Sequence, residues 1–358
     1  MTHSDDSNLS KLERTFLDLA AIDEVYPHES KVLTYIEGRL KQAGLAPARD
    51  AAGNIVAEIA GEGVPLALVG HVDIAAPLGD RQSVIDADKI KTDGTGILGA
   101  DDKAAVAIML ELADVRRESP QGRALELIFT TGEEAGCVGA VQLEMSRVKA
   151  KTGLVLDWAA AINCIVTKSP AYVKVDVTYT GRNAHPAEWQ AGINAGAALA
   201  EAVAGIKQGE IEPGVTCNVG IMQFGAARNQ IPGLARLQAE LRSYETNLSN
   251  AAAANLREHI QSVAAKHGVK ADIVITSDSP AYHLDKSGTF YGEVVAALAK
   301  QGLRPTLQST YGCFDGNILA GKGMEVMMLG AGYYNPHSPD EYLNRTEFAQ
   351  AFAVLQRL

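Results

Sequence analysis

A chain of 358 residues, 47% hydrophobic and 21% charged, has the profile of a folded globular protein, and its length suits two domains. Its 32 Lys and Arg against 43 Asp and Glu leave a net charge of −11, which argues against nucleic acid or an anionic membrane surface as a partner, because both call for a basic footprint. No apolar run approaches the ~20 residues of a membrane helix, and the N-terminus lacks the basic flank and apolar stretch of a secretory signal, so a cytoplasmic chain is expected.

Leu9, Leu12, Phe16 and Leu19 recur every three to four residues, and Val32, Leu33, Ile36 and Leu40 do so again, which predicts two amphipathic helices. The period then changes. Asn54-Ile-Val-Ala-Glu-Ile-Ala60 and Val64-Pro-Leu-Ala-Leu-Val-Gly70 are short apolar runs bounded by glycine, as in strands buried within a sheet. A helix is predicted over 103–117, followed by strands at Leu125-Glu-Leu-Ile-Phe-Thr130 and Leu154-Val-Leu156. This alternation predicts an α/β layer with helices on both faces.

From Ala171 the texture shifts. Tyr172-Val-Lys-Val-Asp-Val-Thr-Tyr-Thr180 alternates strictly, which predicts a half-exposed strand. An Ala-rich helix over 192–206, strands over 216–224 and 234–243, a second Ala-rich helix over 249–266 and a strand over 271–276 complete a βαββαβ order. That is the split βαβ arrangement of a ferredoxin-like domain. After Pro280 the first texture resumes, with a helix over 286–300, a strand over 325–329 and a last helix from Arg345. The expectation is a four-stranded domain, 171–280, inserted into a larger α/β domain made of 1–170 and 281–358.

Chemistry-bearing residues gather just past the predicted strands: Gly70-His71-Val72-Asp73, Leu98-Gly-Ala-Asp101-Asp102-Lys103, Thr130-Thr-Gly-Glu133-Glu134, Asp157 and Asn335-Pro-His337. Ligand sites in open α/β sheets lie beyond the carboxyl ends of strands, so these segments can converge. Each alone has an ordinary reading. Asp101-Asp102 would cap a helix, Glu133-Glu134 would be solvated at a helix start, and His71 with Asp73 would be a hydrogen-bonded pair. Together, two histidines and several carboxylates match the nitrogen and oxygen ligands of zinc, cobalt or manganese. An aspartate can bridge two such ions ~3.5–4 Å apart. Adjacent glutamates let one bind metal while the other serves as a base, and Asp73 can orient His71. The four cysteines (Cys137, Cys164, Cys217 and Cys313) contain no CxxC pair, so neither a disulfide framework nor a thiolate knuckle is indicated.

With Gly181-Arg-Asn-Ala-His185 added, these strings resemble the peptidase T group of co-catalytic zinc aminopeptidases, relatives of the carboxypeptidase G and aminoacylase enzymes. The resemblance covers nearly the whole chain. It implies a mixed-sheet α/β catalytic domain, an inserted ferredoxin-like lid and dimerisation domain, a homodimer, and two divalent ions, zinc foremost. By the same resemblance His71, Asp101 and Asp157 would hold one ion, and Asp101, Glu134 and His337 the other. Glu133 would be the general base and acid, and Asp73 the partner of His71. His185 would help hold the scissile carbonyl, and Asn218 and Arg242 would bind the substrate's carboxylate. A cis peptide is implied at Asp101–Asp102.

Two stretches depart from the pattern. Gly312-Cys-Phe-Asp-Gly-Asn317 carries Cys and Phe where small residues are usual, and Ala184-His-Pro-Ala-Glu-Trp-Gln190 differs after the histidine. The implied activity is hydrolysis of small peptides as a di- or tripeptide aminopeptidase. The alternative is an N-acyl-amino-acid deacylase or glutamate-type carboxypeptidase, and aspartate at 157 favours the aminopeptidase, since those relatives usually have glutamate there. A rival class fails physically. Gly94-Thr-Gly-Ile-Leu-Gly99 is a literal GxGxxG, but Asp101 and Asp102 stand where a pyrophosphate would dock.

Overall fold

Local chemistry sets the first helix of the computed structural model, which describes residues 9–119 and 122–358. The Ser10 hydroxyl accepts from the backbone N–H of Glu13, and the Glu13 carboxylate accepts from the Ser10 backbone N–H, closing a capping box on helix Lys11–Ala20. Leu12, Phe16 and Leu19 are buried on its inner face, and Val32, Leu33, Ile36 and Leu40 on that of helix Ser30–Gln42. No helix among the described residues is long and apolar enough to cross a membrane.

The chain divides into two compact units: one of Met1–Thr167, His283–Ser309 and Phe314–Leu358, the other of Lys168–Tyr282 and Thr310–Cys313. At the centre of the first, strands Arg123–Thr130, Glu62–His71, Thr152–Trp158 and Glu325–Gly330 lie side by side and parallel. Ile55–Ile59 runs antiparallel to Arg123–Thr130, so the sheet is mixed. Leu66 to Val69 are buried without interruption, because helices cover both faces. Val69 and Val155 are paired and share a face, where a Cβ added at Gly316 of helix Asp315–Gly321 would meet Val155. Gly70 points to the opposite face, where an added Cβ would lie 2.8 Å from Asp102 Oδ2 and 2.9 Å from Ala105 Cβ. Glycine at 70 therefore lets helix Ala100–Glu118 lie close against the strand that ends in His71.

A second sheet in this unit joins Tyr333–Tyr334, Tyr342–Asn344, Lys89–Thr92 and Ser83–Asp86, all antiparallel. No sequence pattern announces it. Its strands are two to four residues long and show no apolar alternation.

The second unit has the expected βαββαβ order with one addition. Its sheet runs Gly209–Glu212, Val215–Phe224, Leu234–Ser243, Ala171–Thr180, Lys270–Ser279, so it has five strands rather than four. The extra edge strand pairs with Val215–Phe224 across a turn at Pro213-Gly214, where Gly214 sits at φ +77°. Val173, Val175, Val177 and Tyr179 are buried beneath helices Ala195–Ala204 and Thr246–His267, while the intervening residues are partly exposed. The first of these helices starts three residues later than expected, because Asn194 Oδ1 accepts from the Ala197 N–H and caps it there.

Candidate metal centre

Three strand ends, one helix start and one loop bring the predicted residues of the first unit together. His71 is the last residue of its strand, fully buried, with Nδ1 3.1 Å from the backbone carbonyl of Asp73 and 3.4 Å from its carboxylate. The backbone carbonyl, more than the side chain, fixes the ring. The Asp73 carboxylate does something the sequence did not reveal. Its two oxygens accept from the backbone N–H groups of Glu133 (3.0 Å) and Glu134 (3.2 Å), pinning that turn. Asn54, fully buried, holds the same turn by accepting from Thr131 N–H and donating to the Gly139 carbonyl.

Asp101 opens helix Ala100–Glu118 with non-helical backbone at Asp101 and Asp102, and the peptide between them is cis. Asp101 stands between two histidines from opposite parts of the chain. Its Oδ1 lies 3.1 Å from His71 Nε2 and its Oδ2 3.2 Å from His337 Nε2. His337 Nε2 is also 2.8 Å from Glu134 Oε1, and His71 Nε2 is 3.8 Å from Asp157 Oδ1. His337 takes φ +61°, a left-handed conformation uncommon for a residue with a side chain. Glu341, four residues on and buried, fixes the relation between these loops. One of its oxygens accepts from the N–H groups of Leu98 (2.7 Å) and Gly99 (2.8 Å), and the other from those of Ala100 (2.7 Å) and Asp101 (3.1 Å). A carboxylate at a helix start satisfies amides that the helix itself leaves unpaired.

The electrostatics follow from crowding carboxylates out of water. Burial pushes the Asp157 carboxyl well up, and the charge of Asp101 adds to this. Glu133 is likewise raised by burial, with Asp315 and Glu134 adding to the effect against His71. Burial also works on Asp101, but the bonds from His337 and His71 outweigh it and hold its carboxyl well below the ordinary range. His337 is pushed up to about 10 by its bonds to Asp101 and Glu134. His71 is raised too: burial opposes this, but the bond to Asp101 and the charge of Asp157 prevail.

These residues fit divalent cations. Asp157 Oδ2 is buried without a hydrogen-bond partner, and the converging donors are imidazole nitrogens and carboxylate oxygens. Cations must displace the protons on both imidazoles. Metal uptake should therefore release protons, and affinity should rise with pH as the two imidazoles lose theirs. Calorimetry in buffers of different ionisation enthalpy reads this directly; uptake without proton release would contradict the assignment of His71 and His337 as ligands.

The other three predicted residues lie in the second unit. His185 is exposed, and its Nδ1 accepts from the Ala187 N–H, so a neutral ring carries its proton on Nε2. Asn218 is exposed on strand Val215–Phe224, directly across from Glu240. Arg242 is already engaged: Nε and Nη2 donate to Glu240 (3.1 and 3.2 Å), Nη1 to the Tyr311 carbonyl, and the guanidinium lies 4.5 Å from the centre of the Tyr172 ring. Asp315, from the unusual Gly-Cys-Phe-Asp stretch, accepts from the Thr130 hydroxyl, and burial raises its carboxyl to about 6.

The model of peptidase family M20/M25/M40 matches residues 67–358 of this chain. The uncharacterized protein YqjE of Bacillus subtilis is 29% identical over 346 residues, 93% of either chain. Among solved structures, the aminopeptidase PepT of Bacillus cereus superimposes with a TM-score of 0.84 at 28% identity, covering 97% of this chain and 96% of that one. A tripeptidase of Staphylococcus aureus gives 0.88 at 25% identity with the same coverage.

Proposed function

Because the chain belongs to peptidase family M20/M25/M40, we propose that it is a two-metal aminopeptidase that removes the first residue of di- and tripeptides. What carries the reading is Asp101, with one carboxylate oxygen toward His71 and the other toward His337. His71, Asp101 and Asp157 would hold one ion, and Asp101, Glu134 and His337 the other. Bound there, divalent ions such as zinc would supply Lewis acidity to the attacking water and to the scissile carbonyl.

The chain supplies the rest. Glu133 takes the proton of the attacking water and returns it to the leaving amine, a task that suits a carboxylate whose affinity for protons is raised by burial. Asp73 keeps Glu133 and Glu134 in place through their backbone amides. His185 donates its Nε2 proton to the oxyanion. Asn218 and Arg242 receive the far carboxylate of a short peptide, for which Arg242 exchanges its bond to Glu240. The second unit serves as lid and as the contact of a homodimer.

The test is a panel of metal-loaded reactions read by mass spectrometry: free di- and tripeptides, the same peptides N-acetylated, N-acetyl amino acids, and acyl-glutamates. Free peptides should lose their first residue and the acetylated ones should resist. Faster turnover of N-acetyl amino acids or acyl-glutamates would instead make the protein a deacylase or carboxypeptidase.

A further inference from the structure

Tyr333 is absent from every role described so far, yet its hydroxyl sits among the ligands. Gly332, at φ +89°, brings the chain against helix Arg345–Leu355, where an added Cβ would lie 2.8 Å from the Phe348 nitrogen. The next residue, Tyr333, turns inward from the small sheet, and its ring is almost wholly buried. Its neighbour Tyr334 points elsewhere, stacks on Tyr342 and donates to Glu347.

The Tyr333 hydroxyl is 3.1 Å from Asp101 Oδ1 and 3.1 Å from Asp157 Oδ1. Ionised carboxylates only accept, and a phenol has a single proton to give, so one hydrogen is shared between two acidic groups that would otherwise repel across a dry pocket. Both contacts fall on the Oδ1 atoms. Asp157 Oδ2 is left buried and without a partner. Its two oxygens are therefore held differently: Oδ1 is bonded to the phenol and lies 3.8 Å from His71 Nε2, and Oδ2 has no hydrogen-bond partner.

Building on the metal-centre reading above, we propose that Tyr333 is a positioning residue that fixes the orientation of the Asp101 and Asp157 carboxylates for the first ion. Groups that orient ligands in this way are worth roughly 10- to 100-fold in metal affinity.

The experiment uses cobalt(II) as a spectroscopic probe in the full chain, with Tyr333→Phe, Tyr334→Phe and His71→Ala in parallel and folding followed by circular dichroism. Tyr333→Phe removes one oxygen and keeps the ring, so its fold should persist. Once freed, the two carboxylates can turn, so the visible absorption of the cobalt form should change in position or intensity. Affinity for the first ion should fall by at least ~10-fold, with Tyr334→Phe matching the wild type. A Tyr333→Phe spectrum and affinity that superimpose on the wild type would overturn the proposal. If His71→Ala also kept its full complement of metal, the metal-centre reading itself would fail; if it lost metal, only the role of Tyr333 would. A second measurement needs no variant. With fluorotyrosine in place of the eleven tyrosines, one buried fluorine resonance should move on the first equivalent of metal, and no movement would count against the contact.

Discussion

Replacing Glu133 by glutamine should leave two ions bound and lower turnover by at least ~10²-fold, the usual worth of a positioned acid–base group. The change is nearly isosteric and keeps the backbone N–H that Asp73 holds, so the turn carrying Glu134 stays in place. Only the ability to accept and return a proton is lost. Burial and the neighbouring carboxylates already raise the affinity of Glu133 for a proton, and this burden disappears in the amide, so the variant should be no less stable than the wild type. Metal analysis and steady-state kinetics on one preparation decide it. Near-normal turnover with both ions present would exclude Glu133 as the base.

Asp101→Ala should be more damaging still, because that side chain serves both histidines at once. Its removal takes away the partner of His71 Nε2 at 3.1 Å and one of the two partners of His337 Nε2, at 3.2 Å. Binding of both ions should weaken together, and turnover should drop by ~10³-fold or more, since several kcal/mol of charge stabilisation go with the metals and each 1.36 kcal/mol is tenfold. Asp157→Ala should instead weaken one ion and leave the other close to its original affinity. Elemental analysis after dialysis separates the two patterns. Two tightly held ions in Asp101→Ala would rule out a bridging role.

Much of this candidate site is legible in the chain because His71, Glu133 and Asp157 stand at the ends of apolar runs. A run such as Leu66 to Val69 announces a buried parallel strand, and whatever stands beyond it, here His71 and Asp73, lies on the ligand-binding edge. The ferredoxin-like insert is legible for the complementary reason, since half-exposed strands alternate, as Val173 to Tyr179 do. The supporting groups leave no such trace. Tyr333 belongs to a two-residue strand, too short for any period, and its importance comes from reaching Asp101 and Asp157 across 232 and 176 residues. Asn54 and Glu341 act on backbone amides, which carry no side-chain identity that a pattern could register. The role of Asp73 is mixed: its nearness to His71 is a matter of spacing, but its grip on Glu133 and Glu134 arises only when two strands lie side by side.

The grip of Glu341 on the amides of residues 98–101 joins points about 240 residues apart, and His337 beside it reaches back to Asp101 and Glu134. Ions held there would act as reversible cross-links that close very long loops of the unfolded chain, in the manner of disulfides that can be dissolved. Resistance to unfolding is then a function of the surroundings as well as of the sequence. At free metal a hundred times the dissociation constant, the native state gains ~2.7 kcal/mol for each independent site, and a chelator removes all of it. With its metals bound, the protein would carry part of its stability in solution, on loan from the metal pool around it.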